Sequence, residues 1–418
     1  METLFSSLGS RLTPPQITRL MRTALENPDL LSLAAGFTDT GTLPREEIRE
    51  AVDWILTNPG GTESLQYGTN QGRPGLRFLL AERLAAQDAG PGAGDPASLF
   101  ITNGSQQALS LALQTLCDPG DIVLVERPTY FVFLELARGL GIELHSLPAG
   151  EDGKTDANGL AGLLSGWKSE GRLARLKAVY LVSYFSNPSS CSLEEAEKER
   201  IGRVLADHGA YPALIEDAAY RDLYFDAPHP SRSILRLDSL AAFPRLYAGT
   251  CTKAFATGLK VGYAVCPDEA WRERMLYLKG QHDFGTANFN QAIVERVLET
   301  GDYDRCLEGL RQHYRRKRDA LSAVFTSEDL GAMGWHWEMP QGGLYFWLRG
   351  PSGLDTGTES VFCRQALENG VLYVPGGLCY GDDPPPNYVR ISFGVLQEAE
   401  LAEAGRRFVR TAREFALG

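Results

Sequence analysis

The sequence predicts an α/β protein: a large domain on a mostly parallel sheet flanked by helices, joined to a smaller α+β domain. Three observations lead there. From about Glu46 to Cys266, short apolar runs alternate with helical patterns. The runs are rich in Val, Ile, Leu and Tyr, as expected of strands buried on both faces. From about Gly301 the chain changes to one long amphipathic stretch, then a few short strands with a helix between them.

Taken in order, the chain opens polar, passes Pro14-Pro15 and shows a short helical pattern from Gln16 to Glu26. Residues 1–45 are expected to form an N-terminal arm and part of the smaller domain, residues 46–290 the large domain, and residues 291–418 the rest of the small one. The boundary falls between Gly285 and Gly301. Strands are expected over Ser98–Thr102, Ile122–Val125, Ala178–Ser183, Ala213–Ile215, Leu246–Ala248 and Val261–Val265. Ser192-Leu193-Glu194-Glu195 has the form of a capping box, opening a helix that ends near Gly209. In the second domain Leu307, Leu310, Tyr314, Leu321, Val324 and Phe325 recur at helical spacing. The basic run from Arg311 to Arg318 reads as the solvated face of that helix. Strands over Leu344–Leu348 and Tyr388–Ser392 follow, with a helix near Thr358–Asn369.

Composition narrows the function classes. Of 418 residues, 43% are hydrophobic and 22% charged, which is globular and leaves ample core. Lys and Arg number 41 against 53 Asp and Glu, a net charge of −12. Nucleic-acid binding is driven by Lys and Arg releasing counterions, so an acidic chain is a poor candidate. Seven scattered cysteines without a Cys-x-x-Cys pair argue against a disulfide framework and a structural zinc site. The six histidines include no His-x-x-x-His and no His-Glu-x-x-His, so no metal site is expected. No signal-peptide layout opens the chain, and no apolar run approaches the ~20 residues of a membrane span. A reducing cytoplasm is the expected home, with a small-molecule ligand and neither a membrane nor a nucleic-acid partner.

Three stretches carry chemistry. In Tyr247-Ala248-Gly249-Thr250-Cys251-Thr252-Lys253-Ala254-Phe255, a strand runs into a small-residue turn and presents one lysine just past its end. A lysine among apolar neighbours can lose its proton near neutral pH, which makes it a nucleophile towards aldehydes. In Ala213-Leu214-Ile215-Glu216-Asp217-Ala218-Ala219-Tyr220, an apolar strand ends in Asp217. A carboxylate at a strand's carboxyl end points into the crevice where open α/β sheets bind ligands. A buried Asp needs a cation. That cation is either an arginine or the protonated ring nitrogen of a ligand. In Phe100-Ile101-Thr102-Asn103-Gly104-Ser105-Gln106-Gln107, a strand turns through Gly104 into a helix whose free amides suit a phosphate.

Lysine, aspartate, tyrosine and phosphate cradle on one sheet resemble the fold-type-I enzymes that use pyridoxal 5′-phosphate. Within them the chain is similar to the class I/II aminotransferases, near the aminoadipate and kynurenine aminotransferases. Further matching segments run in the expected order over nearly the whole chain. They are Leu31–Gly36, Leu43-Pro44, Gln66–Arg77, Arg127–Tyr130 and Ser186-Asn187-Pro188, then Gln341–Tyr345, Val374–Gly377 and Tyr388–Ser392. The resemblance implies a mostly parallel seven-stranded sheet. It implies ping-pong transfer of an amino group from an L-amino acid to a 2-oxo acid such as 2-oxoglutarate.

It also implies roles. Lys253 holds the cofactor as a Schiff base and moves the proton between substrate Cα and cofactor C4′. Asp217 keeps the ring nitrogen protonated. Tyr220 and Asn187 hydrogen-bond the ring's phenolic oxygen, and Tyr130 stacks on the ring. Ser105, the amide of Gln106, Thr250 and Lys260 hold the phosphate. Tyr67 reaches the phosphate of the neighbouring subunit, which makes a homodimer with shared active sites. Arg390 clamps the substrate carboxylate, helped by Gly36 and Asn187.

The chain departs from the family in four places. Lys260 stands where arginine is usual, and lysine lacks the planar fork. Ser189-Ser190 replaces Thr-Gly after Asn187-Pro188, where glycine has more backbone freedom. Ala35-Gly36-Phe37-Thr38 replaces Gly-Gly-x-Pro in the loop that faces substrate. Ile17-Thr18-Arg19 replaces an Ile-Arg pair. Phe37 and Tyr345 suit a bulky apolar substrate, alongside the aminoadipate or aromatic donors of the group. A lyase, racemase or other carbanion enzyme on the same cofactor is the alternative reading. A winged-helix regulator is not expected, because the family pattern begins near Leu31. A dinucleotide enzyme is not expected either, because no Gly-x-Gly-x-x-Gly opens a helix after a strand.

Overall fold

The computed structural model describes residues 4–15, 22, 26–27, 29–89, 94–150 and 153–416. The helix expected from Gln16 to Glu26 therefore lies outside the described residues but for two positions, and Ile17-Thr18-Arg19 lies wholly outside them.

The elements that place the site begin with helix α1 (Ser7–Arg11) and strand β1 (Leu31–Ser32). Helices α2 (Arg45–Thr57) and α3 (Pro74–Gln87) follow, then β2 (Leu99–Asn103), α4 (Gly104–Leu116) and β3 (Ile122–Val125). Next come α5 (Phe131–Leu140), β4 (Glu143–Ser146), α6 (Ala157–Ser169), β5 (Leu176–Val182), α7 (Glu195–Asp207) and β6 (Ala213–Asp217). Strands β7 (Arg245–Thr250) and β8 (Val261–Val265) complete a seven-stranded sheet in the order β2-β8-β7-β6-β5-β3-β4. Strand β8 runs antiparallel to both neighbours and every other pairing is parallel. The carboxyl ends of β2, β5, β6 and β7 thus share one edge, where such sheets bind ligands.

Both faces of the sheet are dry. On one, Ala108, Leu111 and Ala112 of α4 and Phe133, Leu134 and Ala137 of α5 pack with Trp271 and Met275 of α8 (Glu269–His282). On the other, Leu160, Leu164 and Trp167 of α6 meet Ile201 and Leu205 of α7. This double cover is why the strands read as unbroken apolar runs. Strand β4 escaped the sequence reading because it is a sheet edge. Its Glu-Leu-His-Ser alternates half-buried and buried residues and never forms such a run.

The capping-box reading of Ser192 needs correction. The helix starts at Glu195 with Glu194 in the capping position and no side-chain cap bond. The Ser192 hydroxyl instead accepts from the Phe185 amide at 2.9 Å, in the loop after β5.

Beyond α9 (Asn288–Glu299) lie α10 (Asp302–Ser327), β9 (His336–Trp337), β10 (Tyr345–Arg349), α11 (Val361–Glu368), β11 (Val371–Leu372), β12 (Val374–Pro375), β13 (Tyr388–Ser392) and α12 (Glu398–Ala416). A four-stranded antiparallel sheet has the order β12-β13-β10-β9, and β1 pairs in parallel with β11. The predicted apolar stripe of α10 is buried throughout. Its basic run is not a uniform solvated face. Lys317 is fully buried against Asp39 at 2.9 Å, and Arg318 is buried with a bond to the Pro340 carbonyl at 2.8 Å. Arg311 lies 3.6 Å over the ring of Tyr224. Only Arg315 and Arg316 keep about half their side-chain surface in water.

Asp39 explains this inversion. Its buried carboxylate takes bonds from Lys317, His313, Gln397 and the Gly41 amide. Those bonds hold it down to about 2 against the opposing effect of burial. The segment from Ala34 to Asp39 is thereby pinned to α10 and becomes a wall of the cleft described next.

Candidate active site

The cleft opens at the carboxyl edge of the sheet. Asp217 ends β6, is buried, and takes bonds on both oxygens: Tyr180 donates to Oδ2 at 2.8 Å and the Ala219 amide to Oδ1 at 3.0 Å. Tyr180 is held by Phe133, the two rings stacked 3.7 Å apart. The arginine partner that a purely structural role requires is missing. Among the described residues no cation lies within ion-pair distance of Asp217. Burial accordingly pushes its carboxyl up to about 6, although both hydrogen bonds oppose the rise.

Lys253 stands three residues past β7. The residue is half-buried and its Nζ donates to the Gly36 carbonyl at 2.7 Å. Burial, with the charges of Lys260 and Arg390, pulls its amine down to about 8. A fraction of it is therefore neutral at physiological pH, as a nucleophile needs.

Arg390, in the middle of β13, is 1% exposed and so is not a surface arginine. Its Nη1 donates to Asn187 Oδ1 at 2.9 Å and its Nη2 to the Ala34 carbonyl at 2.5 Å. Its Nε is buried without a bond. A planar guanidinium fixed on one side with an unused donor inside is the arrangement that grips a carboxylate.

Tyr220 follows Asp217 by three residues and its hydroxyl lies 2.8 Å from that of Tyr345. The Asn187 amide reaches the same Tyr345 hydroxyl at 3.5 Å. Tyr130, in the capping position of α5, is half-buried, and burial, then the neighbouring Tyr345, push its phenol up.

The anion cradle has a local cause. Asn103 occupies the capping position of α4 but makes no cap bond. Its side chain is drawn to Asp283 at 3.1 Å instead, leaving the first amides of α4, at Ser105 and Gln106, uncapped by it. Gly104 has φ +66°, which glycine adopts without strain. Gly262, paired with Thr250 across β7 and β8, lies against this start: a Cβ there would sit 2.4 Å from the Gly104 carbonyl carbon. Thr250 Oγ1 donates to Thr252 Oγ1 at 2.7 Å. Lys260 is exposed, with φ +57°.

Contacts thus link Lys253 to Gly36, Gly36 to Tyr345, and Tyr345 to Tyr220, Asn187 and Arg390, with Asp217 three residues before Tyr220, while Ser105 and Gln106 open α4 where Gly262, the pairing partner of Thr250, lies against it. Tyr67 stands apart: it is 79% exposed, its ring against the exposed Phe284 at 5.6 Å. Sequence reasoning missed Thr252, Tyr180 and the hydroxyl of Tyr345. Thr252 adjoins the lysine and was within reach. Tyr180 is indistinguishable in sequence from any core strand residue.

Ser190 answers the question raised by the missing glycine. It is buried at φ +55°, and its Oγ donates to the Tyr345 carbonyl at 2.7 Å, a bond glycine could not make. Among the described residues no cluster of His, Cys, Asp and Glu could hold a metal, and no helix is long and apolar enough to cross a membrane.

The residues fit a flat cationic heteroaromatic aldehyde that carries a phosphate. Asp217 lacks a cation, Lys253 has a depressed amine, and the start of α4 lies open. Comparison with known proteins agrees. A family model described as aminotransferase class I and II matches residues 28–408. The 2-aminoadipate transaminase of Thermus thermophilus is 31% identical, covering 98% of this chain and 96% of its own. The aromatic-amino-acid aminotransferase 1 of Thermococcus litoralis is 28% identical over 99% of this chain and 95% of its own. Among solved structures, the Pyrococcus horikoshii kynurenine aminotransferase in complex with PMP superposes with a TM-score of 0.87 at 28% identity, covering 99% of this chain and 97% of that one.

Proposed function

The chain belongs to the class I and II aminotransferases, and from that membership we propose that it moves an amino group from an L-amino acid to a 2-oxo acid such as 2-oxoglutarate, using pyridoxal 5′-phosphate. One observation carries the reading: Asp217 is a buried carboxylate without a cation among the described residues, and Lys253, past the end of the neighbouring strand, has its amine pulled down to about 8, so that a minor fraction is neutral at pH 7. When bound, the cofactor supplies an aldehyde and an electron-withdrawing ring.

The chain's own groups do the rest. Asp217 holds the proton on the ring nitrogen, as a buried anion does for an adjacent cation. Lys253 would hold the cofactor through its amine and would carry the proton between substrate Cα and cofactor C4′. Its leash is short: Gly36 O already accepts from it, so the freed amine stays in the cleft. Tyr220 and Asn187 would donate to the phenolic oxygen, and Tyr130 would cover the ring. Ser105, the Gln106 amide, Thr250 and Lys260 take the phosphate, with the partner subunit's Tyr67 completing that site in a homodimer. Arg390 takes the substrate carboxylate through the donors it has left, with Gly36 and Asn187 lining that pocket.

We assign the cofactor to a large domain of residues 46–290, and read residues 1–45 and 291–418 as arm and small domain. The donor class is aminoadipate, aromatic or bulky apolar, supported by the names of the relatives and by exposed Phe37 beside Gly36. A cytoplasmic location suits a chain in which none of the seven cysteines forms a disulfide. The test is a screen of the twenty amino acids plus aminoadipate and kynurenine with 2-oxoglutarate as acceptor. Glutamate formation with at least one of these donors is expected. Ammonia release without glutamate would move the assignment to a lyase.

A further inference from the structure

We propose that Tyr345 is a positioning residue for this reaction: its hydroxyl donates to the hydroxyl of Tyr220 and leaves the proton of Tyr220 free for a third group in the cleft. The inference rests on the functional reading above and adds a residue to it. Tyr345 opens β10 and is 1% exposed. Its Oη lies 2.8 Å from Tyr220 Oη and 3.5 Å from Asn187 Nδ2, and its ring lies 4.4 Å beneath the Arg390 guanidinium. It therefore touches three groups that arrive from three different segments.

The direction of the central bond follows from donor chemistry. An amide nitrogen only donates, so Asn187 makes Tyr345 Oη an acceptor on that side. The proton of Tyr345 is then left for Tyr220 Oη. With the bond reversed, the Tyr345 proton would have no acceptor among the hydrogen bonds of the described residues, and Tyr220 would have none to give. Two features hold the Tyr345 hydroxyl in place. A Cβ on Gly36 would sit 3.0 Å from Tyr345 Oη, so the hydroxyl is wedged against the Ala34–Asp39 segment. The Tyr345 backbone is hooked by Ser190 Oγ at 2.7 Å. A cation over the ring withdraws electron density and makes the phenol a better donor.

The consequence reaches the cofactor. A hydroxyl that receives a hydrogen bond gives its own more strongly. Tyr220 thus becomes a stronger donor to the cofactor's phenolic oxygen, which favours the anionic oxygen and loss of the cofactor's proton at lower pH.

The experiment is a pH titration of the cofactor's visible absorption in full-length, loaded enzyme, comparing wild type with Tyr345→Phe, Tyr220→Phe and the double variant. Tyr345→Phe is expected to move the midpoint up by about half a pH unit, with cofactor stoichiometry unchanged. In the Tyr220→Phe background the same change is expected to add no further shift, because the two act in series. An unmoved midpoint in Tyr345→Phe, or an equal shift in both backgrounds, overturns the proposal. A wild-type chain that gains no visible band overturns the functional reading itself, before any substitution is made. Should Tyr345→Phe fail to fold, Ser190→Ala provides the second test. Freeing the Tyr345 backbone is expected to move the midpoint in the same direction, and an unmoved midpoint counts against the proposal.

Discussion

Asp217 concentrates the residue-scale argument. Tyr180 and Ala219 orient it but give it no counter-charge, and its carboxyl titrates near 6 instead of the ordinary 3.8. Its folded value is raised, so the empty protein binds a proton there that the unfolded chain releases. Stability is therefore lost as pH rises from about 4 to about 6, by up to ~3 kcal/mol. Asp217→Asn is expected to make the cofactor-free protein more stable than wild type at pH 8, with the gain nearly gone at about pH 3.5, as read by urea unfolding. The same substitution is expected to lower turnover by at least about a hundredfold, because a neutral amide cannot hold the ring nitrogen protonated. A residue that destabilises the empty fold while serving the ligand is what functional strain means in energetic terms.

At the scale of elements, the site depends on a close approach between β8 and the start of α4. Gly262 admits that approach. An alanine there would bring a Cβ within 2.4–2.7 Å of Gly104 and Ser105 backbone atoms, which cannot move without displacing the helix start. Gly262→Ala is expected to weaken cofactor binding by more than about tenfold in equilibrium titration, while Gly258→Ala, with nothing within 4 Å, leaves it unchanged. Much at this scale was legible in sequence. Strands β3, β8 and β13 fall on their predicted residues, and the other predicted strands shift by one or two residues at their ends. Reading failed where tertiary partners overrode local pattern. Ser192 looks like a cap but bonds a loop, β4 is a polar edge, and Lys317 sits in a basic run yet is buried because Asp39, nearly three hundred residues away in sequence, needs it. Lys253, Asp217 and Ser105 were visible because a strand end or turn marks each locally, whereas Arg390, in mid-strand, was named only through the family resemblance. Their geometry was not, since Arg390 meets Asn187 and Ala34 only in the folded chain.

For the whole molecule, the separation of Tyr67 from the cleft is the informative fact. An exposed tyrosine edge-on to an exposed Phe284 is an aromatic surface without a cover in the single chain. In the proposed homodimer each cleft takes Lys253 from one subunit and Tyr67 from the other. Mixing unfolded Lys253→Ala and Tyr67→Ala chains and refolding them together is expected to recover about a quarter of wild-type activity, since half the dimers are hybrids with one intact cleft. No recovery above the sum of the two parents would show that the clefts are not shared. The most direct measurement concerns the covalent bond itself. Protein incubated with pyridoxal 5′-phosphate is reduced with borohydride, digested and mapped by mass spectrometry. The account predicts one phosphopyridoxyl group per chain, on Lys253; a tag at Lys260 instead, or none, would contradict it.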